Sequence, residues 1–552
     1  MPMSTTGSRS GSFPDKDRPF FFAAYGEENG RFFISQMCYA ISSMEISRYR
    51  DELEAIIPGV LDAYESLKTT NGMGVYTSNG AFYNHTFFGR DNAMAAKFVT
   101  DFDHQVTRET IIALASLQGT KNNPKTHEQP GRIHHEYRDF TTWKGGRVER
   151  IVLGFFRKRW GATDTQLLTY YAADTTALYI RLAHKYVTRV DKSFLDMTIK
   201  NREGQTLTLR ESLARAADWL CSQLNEHDHL VTKRTNDWSL PYQTFQDSST
   251  AFPRQDGTLA NFRRGLTYTE VQAFAIDALE DVTQMLEDHP RRHEWQSAAH
   301  AMRRALIADF WDPNEQFFGS AYDEKGLVDM PAVTAGWTLN TSLWGEIPEP
   351  KRVEIISAVV RRLFSDDFLT PVGLRSRSLH APQPLPGVIE YHGRLTVWPM
   401  FTFMVIEGLR RHRLHRLATE LENRVINGIN ASGTFEEFLV VDGGGHLLRN
   451  VPGEHADVAV DAQMLPEKHI AFTVIPAMVL AWRATNRGRA WPPQSTWQKK
   501  LEDEILDTIE QTERLQPKEA AAGVTAVVPT RFRRFRGNVR SAWYFLGEWR
   551  RM

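Results

Sequence analysis

The sequence predicts an all-α fold in which helical hairpins close into a double ring, and three observations carry that expectation. From about residue 33 to about residue 482 the chain alternates between segments apolar almost all round and segments apolar along one stripe. Clear strand alternation is rare, with short candidates only at Leu439–Val441 and Leu447–Leu448. Helix punctuation is frequent, at Asp312-Pro313, Gly345-Glu346-Ile347-Pro348 and Pro386-Gly387. A helix buried on every side, followed by a half-exposed one, makes an inner and outer pair. Such pairs fit a ring with a site at one mouth better than they fit a bundle.

In chain order, Met1 to Arg18 is Ser/Gly/Pro-rich and lacks the apolar run of a signal peptide, so residues 1–28 are expected to form an unstructured tail. Arg90-Asp91 begins an inner helix, and Asp174 opens another in which Leu178, Leu182 and Tyr186 share one face. Stripes follow at Trp295, Ala298, Met302, Leu306 and Phe310, and at Val353, Ile356, Val360 and Leu363. Met400 to Ile406 is nearly all apolar, whereas Leu414, Leu417, Leu421 and Val425 recur at three-to-four spacing with charges between them. The longest apolar stretch, Ile470 to Trp482, is shorter than the roughly 20 residues of a membrane-spanning helix and reads as a buried one. The ring is therefore expected over 29–485 and an extension over 486–552. That extension comprises a polar helix at Ser495–Arg514, an Ala/Val/Gly linker at Pro517–Pro529, and a basic, aromatic tail at Arg531–Met552. The tail is expected to pack back through its aromatics, with a membrane or nucleic-acid contact as the alternative. No short repeat recurs at a fixed period, which disfavours a solenoid.

Composition narrows the partners. With 66 Lys and Arg against 67 Asp and Glu, the net charge of −1 gives no pull toward nucleic acid or an anionic membrane, so an uncharged partner is expected. Cys38 and Cys221 are far apart and form no Cys-x-x-Cys, so neither a disulfide framework nor a zinc site is indicated. A reducing, cytoplasmic setting is the expectation.

Several separate stretches, taken in order, carry more information than any one alone. They are Phe88-Gly89-Arg90-Asp91, the run Gln129 to Arg138, Tyr171 to Tyr179 around Asp174, Gln246-Asp247-Ser248, Glu270-Val271-Gln272 and Phe310-Trp311-Asp312. Gly373-Leu374-Arg375, Tyr391-His392 with Val397-Trp398-Pro399, and Gly433 to Leu439 around Glu437 complete the set. Together they resemble the amylo-α-1,6-glucosidase (glycogen-debranching) family and related six-hairpin glycosidases, over roughly residues 80 to 485. The resemblance implies an (α/α)6 barrel and hydrolysis of an α-glucoside from the non-reducing end, possible without metal or cofactor.

Two carboxyls suffice for that reaction, one protonating the leaving oxygen and one acting on the opposite face of the ring. The resemblance implies Asp174 as the acid and Glu437 as the base, with Glu436 a competitor for the second role. From the residues alone Asp174 is more often an N-cap, and the resemblance reverses those odds. A helix N-terminus favours ionisation, so burial or a second carboxylate must oppose it for an acid to work there. A carboxyl separation of about 6.5–9.5 Å would give inversion and one near 5 Å retention.

The resemblance also implies that Arg90 and Asp91 grip sugar hydroxyls, for which a forked guanidinium beside a carboxylate is suited; the alternative is a salt bridge at the mouth. His135, Glu136 and Arg138 are expected in a polar cluster lining it. The second His needed for a metalloprotease motif is missing, so metal binding is not expected. Asp247 and Glu270 are substrate-side candidates, His392 lines the site, and Trp398 is a stacking platform or core. Four departures mark this chain: Phe245-Gln246 where the family commonly has Trp-Lys, Val372 where Trp is usual, Met400-Phe401 where polar residues are common, and a longer Tyr391-His392 loop. With no sizeable N-terminal β-rich region besides, short oligosaccharides are expected over polymers. Alternatives are a related toroid acting on sucrose, trehalose or a mannosyl or glucosyl conjugate, a phosphorylase, and a non-catalytic glycan-binding protein.

Overall fold

The structure is a computed structural model. It describes residues 49–79, 83, 86–141, 146–234, 239–248, 250–382, 388–448, 459–460, 466–485 and 493–515, all within the compact unit Met37–Met552. The expected tail over 1–28, Cys38, the linker Pro517–Pro529 and the basic segment Arg531–Met552 lie outside the described residues.

Helices α1 (Arg50–Ile56) and α2 (Val60–Leu67) are followed by α3 (Gly89–Val99) and α4 (His104–Ser116). Next come α5 (Arg147–Trp160), α6 (Thr175–Arg189), α7 (Leu209–Ser222), α8 (Thr269–Met285) and α9 (Arg292–Asp309). After a 3-10 segment at Val333–Asn340, the chain forms α10 (Glu349–Leu363), α11 (Pro399–Arg411), α12 (His415–Ser432), α13 (Ala471–Thr485) and α14 (Thr496–Leu515).

Their contacts run in a cycle. α3 packs on α6, α6 on α8, α8 on the 3-10 segment, that segment on α11, α11 on α13, and α13 back on α3. Outside them α4 lies against α3 and α6, α7 against α6 and α8, α9 against α8, α10 against the 3-10 segment, α12 against α11 and α13, and α2 against α13. The result is a mostly helical toroid, as the alternating hydrophobicity predicts. Inner α11 and α13 bury nearly every residue of their apolar runs, whereas outer α10 buries only the stripe from Ile355 to Leu363. Burying one face of an outer helix and all faces of an inner one removes the most apolar surface from water.

The 3-10 segment is the inner element that hydrophobic periodicity does not reveal. Val333, Thr334 and Thr338 are β-branched and Gly336 costs backbone entropy, all unfavourable to an α-helix. Thr338 and Thr341 instead turn their hydroxyls onto the carbonyls three residues back, at 2.9 and 2.7 Å.

The two strands read from the sequence are present, but the expectation that they stand nearly alone is corrected. A sheet of β1 (Thr86–Phe88), β2 (Glu136–Asp139) and β3 (Gln166–Thr169) pairs Phe88 with Glu136 and Glu136 with Thr169. A second sheet joins β4 (Thr396–Val397), β5 (Leu439–Val441) and β6 (Leu447–Leu448). Strands of two to four residues are too short to display a period of two, so composition could not announce them.

Helix α14 packs on α10 and α12, where Arg361 Nε and Nη2 donate to Glu504 at 2.7 and 3.0 Å. Among the described residues no helix is long and apolar enough to cross a membrane.

Candidate active site

One mouth of the toroid gathers carboxyl groups because several inner helices begin there. Strand β1 runs straight into α3, and β3 leads to the loop before α6, so the small sheet delivers Arg90 and Asp174 side by side. Gly89 makes this approach possible: a Cβ on it would lie 2.3 Å from the His134 carbonyl oxygen and 2.6 Å from Thr175 Cγ2. The Gly89 N–H donates to the His135 carbonyl at 2.9 Å. Arg132 Nη2 reaches the Ala172 carbonyl and Gln243 Oε1, both at 2.9 Å, and the Ala173 N–H donates to the Gln243 carbonyl at 2.7 Å. The loop carrying Asp174 is thus fastened from both sides.

Asp174 occupies the cap position of α6 but makes no capping hydrogen bond. Its Oδ2 accepts Arg90 Nε at 2.7 Å and its Oδ1 accepts the Thr175 hydroxyl at 3.3 Å. Burial raises its pKa and the Arg90 guanidinium opposes the rise. The carboxyl is 0% exposed. Asp247 stands on the other side of the same arginine, 3.8 Å from Nη1 and 31% exposed. Burial pushes it up to about 6 against the pull of Arg90. Arg90 also lies over the Phe245 ring, 5.0 Å from its centroid, and its Nη2 has no protein hydrogen-bond partner.

Asp91 is half-buried and is pushed up to about 7 by burial, with Arg90 opposing and Asp247 and Asp174 adding to the rise. Glu270, in the first turn of α8, accepts the Thr244 hydroxyl at 2.6 Å. It too rises to about 7 through burial, and its Oε2 has no hydrogen-bond partner. Both orphan atoms are buried polar groups whose desolvation a ligand's hydroxyl could relieve.

Glu437 is built differently. It lies in the loop after α12, which ends at Gly433 in the left-handed region (φ 69°). Its Oε1 accepts the Tyr391 hydroxyl at 2.5 Å and its Oε2 the Glu467 N–H at 3.3 Å. The Glu437 N–H returns a bond to the Glu467 carbonyl at 2.9 Å. Burial pushes Glu437 up to about 8, with the Tyr391 and Glu467 donors opposing and the charges of Glu467 and Asp91 adding to it. Glu436 is buried beside it, its carbonyl accepting the Thr473 hydroxyl at 2.6 Å.

Two tyrosines connect the two sides. The charges of both Glu437 and Asp247 act on Tyr83 and Tyr391. Asp91, in turn, acts on Glu437. Asp91, Asp174, Asp247 and Glu437 therefore belong to one electrostatic cluster with Arg90.

The other sequence-derived residues serve the walls. His135 is buried against Phe88 at 5.3 Å, and burial holds its pKa well below the usual range. Glu136 accepts Arg138 Nε across β2. Trp398 is enclosed in a stack with His392, Phe401 and Phe438 at 5.0, 5.0 and 5.3 Å. His392 Nδ1 meets the Ser248 hydroxyl at 3.1 Å while its buried Nε2 has no partner.

Sequence reasoning missed Tyr83 and Glu467 and gave Tyr391 no role. Glu467 has one available signal, an acidic residue just ahead of an inner helix, as with Asp174 before α6. The tyrosines lie in irregular loops that periodicity does not address. Among the described residues no group of His, Cys, Asp and Glu side chains is arranged to hold a metal ion.

Residues 217–446 match the family model described as the mannosylglycerate hydrolase MGH1-like glycoside hydrolase domain. The matched segment resembles a glycoside hydrolase domain, and the matching description is not that of the debranching enzymes. No curated protein sequence matches. Among solved structures, the chain is similar to the GH63 mannosylglycerate hydrolase of Thermus thermophilus in complex with glucose, at 15% identity and TM-score 0.48, over 77% of this chain and 98% of that one. The same hydrolase in complex with Tris matches at 14% identity and TM-score 0.48, over 77% and 98%. A rhamnosidase from Klebsiella oxytoca with rhamnose bound matches at 13% identity and TM-score 0.44, over 79% and 64%.

Proposed function

We propose that this protein is a glycoside hydrolase whose toroid is an (α/α)6 barrel, and that it releases an α-linked sugar from a non-reducing end with inversion. The observation that carries the reading is the cluster of Asp91, Asp174, Asp247 and Glu437 around Arg90, in a chain with a segment that resembles a glycoside hydrolase domain. Glu437 is the general base: both its oxygens face hydrogen-bond donors, an arrangement suited to a carboxylate. It removes a proton from water as the water attacks the anomeric carbon.

The acid we assign to Asp247. It is the partly exposed carboxyl beside Arg90, raised by burial to about 6, and because Glu437 rises further, to about 8, the productive form with Asp247 protonated and Glu437 ionised is a minority of the molecules at any pH. Asp174 is fully enclosed and spends one oxygen on Arg90, so in this reading it fixes the guanidinium that grips the sugar. Asp174 as acid is the second reading, favoured by the family resemblance and by its own raised pKa. Arg90, Asp91, Glu270 and His392 contact sugar hydroxyls. The family-model match favours a short glycoside conjugate such as a glycosylated hydroxy acid, and the debranching resemblance favours oligosaccharides. The proposed setting is the cytoplasm.

The test is sugar release from maltose, isomaltose, panose, trehalose, sucrose, glycogen limit dextrin, mannosylglycerate and glucosylglycerate. Wild type is compared with Asp174→Asn, Asp247→Asn and Glu437→Gln. A glycosyl fluoride, whose leaving group needs little protonation, separates the acids: the acid variant keeps most activity on it, the base variant none. Release from none of these substrates by wild type would defeat the reading. Activity surviving Glu437→Gln would move Glu436, or phosphate in place of the activated water, to the front.

A further inference from the structure

We infer that Tyr391 is a positioning residue for Glu437, its hydroxyl holding the carboxylate in one orientation. The inference rests on Glu437 as general base, and it adds what keeps that base aimed.

The geometry is one of mutual fastening. Tyr391 and Glu437 lie on two loops zipped together just downstream, where Val397 of β4 pairs with Leu439 of β5. The Tyr391 ring is wedged edge-on between His392, Trp398 and Phe438, with centroids at 4.4, 4.9 and 5.3 Å. The Tyr391 carbonyl accepts Trp398 Nε1 at 3.2 Å, so both ends of the residue are held. Only the hydroxyl is left to act, and it meets Glu437 Oε1 at 2.5 Å.

A phenol has one proton to donate. Tyr391 gives it to Glu437 Oε1. On the far side Glu467 completes the grip: its N–H serves Oε2 of Glu437, and its carboxylate accepts the Ser78 hydroxyl at 2.9 Å. Ser78 pairs with Ile470 and the Thr77 carbonyl accepts the Ala471 N–H at 2.8 Å. Glu437 is therefore anchored where the segment before α3 meets the start of α13, the seam that closes the contact cycle.

The charged and titratable groups facing Glu437 are Tyr391, Tyr83, Glu467 and Asp91, with Asp247 and Arg90 beyond the tyrosines. No cation is among the groups that act directly on it. Neutral donors are what oppose burial, so removing the nearest one should make ionisation harder and loosen the carboxylate.

The experiment uses the full chain and the variants Tyr391→Phe, Tyr83→Phe and Glu437→Gln. Titration of Glu437 is followed by pH-difference infrared spectroscopy, the Glu437→Gln spectrum identifying its band, and thermal melts check that each variant folds. This readout needs no substrate. Tyr391→Phe should raise the Glu437 midpoint by about 1–2 pH units, the loss expected for one hydrogen bond to a charged group. Tyr83→Phe, which leaves the Tyr391–Glu437 bond in place, should move it less. In hydrolysis, Tyr391→Phe should lower kcat about 10–100-fold near neutral pH with KM nearly unchanged, and shift the acidic limb of the pH profile upward by the same amount as the infrared midpoint. An unmoved midpoint overturns the inference. A moved midpoint with unaltered kcat also overturns it, since the bond then governs ionisation without serving catalysis. Absence of hydrolysis by wild type defeats the glycosidase reading instead, a result that melts and infrared titration distinguish from a failed variant.

Discussion

The two sides of the mouth hold their carboxyls by opposite means. On one side Asp174 is clamped by a guanidinium and Asp247 stands beside it, both delivered by backbone that leads into an inner helix. On the other, Glu437 sits in a loop and meets only neutral donors, a phenol and a peptide N–H. The first arrangement sets a guanidinium's charge against burial, which still raises both carboxyls. The second leaves burial largely unopposed, and the carboxyl rises to about 8. The contrast teaches that equal burial does not give equal chemistry: a clamped carboxylate is an anchor, whereas one held by neutral donors can still gain or lose a proton near neutral pH.

The largest test of this contrast is Glu437→Gln, which should reduce kcat by about 10²–10⁴-fold while leaving the fold intact, measured by initial rates and thermal melts. Equal damage to stability would erase the distinction between anchor and reactive group. Arg90→Met should do the reverse damage. It leaves Asp174 buried without its partner and should cost about 3–5 kcal/mol of stability in denaturant unfolding, a penalty that shrinks as Asp174 protonates at low pH. A variant as stable as wild type at pH 7 would mean Asp174 needs no counter-charge.

A smaller effect sharpens the Glu437 side. Because its pKa is raised from 4.5 to about 8 on folding, the folded protein holds that proton more tightly than the unfolded chain. Its stabilising contribution is full below about pH 4.5 and is lost as pH rises toward about 8. Glu437→Gln keeps the neutral form, so over that window the variant should gain on the order of 1–3 kcal/mol relative to wild type, read from unfolding curves at several pH values. A flat difference would mean Glu437 is ionised throughout. The smallest expected effect lies far from the mouth: Arg361→Ala breaks the exposed pair with Glu504 and should cost no more than about 1 kcal/mol with no change in rate. A change in rate there would show that α14 communicates with the site.

Much of this architecture is legible in the chain. The stripe on α9, the solid apolar run of α11 and the buried α13 follow from hydrophobic period alone. Asp174, Glu437 and Arg90 stand out through the family resemblance, since an Asp opening an apolar helix is by itself more often a cap. The 3-10 segment at Val333–Asn340 is not legible, since its threonines and glycine carry no helical period. Tyr391 is not legible as the partner of Glu437 either, because the two meet through loop geometry.

The sequence by itself determined which helices are inner and which outer, for the physical reason that the periodicity of apolar residues dictates how many faces must leave water. It also determined that the mouth is rich in carboxyls. Only the tertiary structure decided which carboxyl is clamped, which is partly exposed and which is held by neutral donors. Protonation depends on burial and on charges a few ångströms away, and residues distant in the chain become neighbours only when α13 packs back against α3.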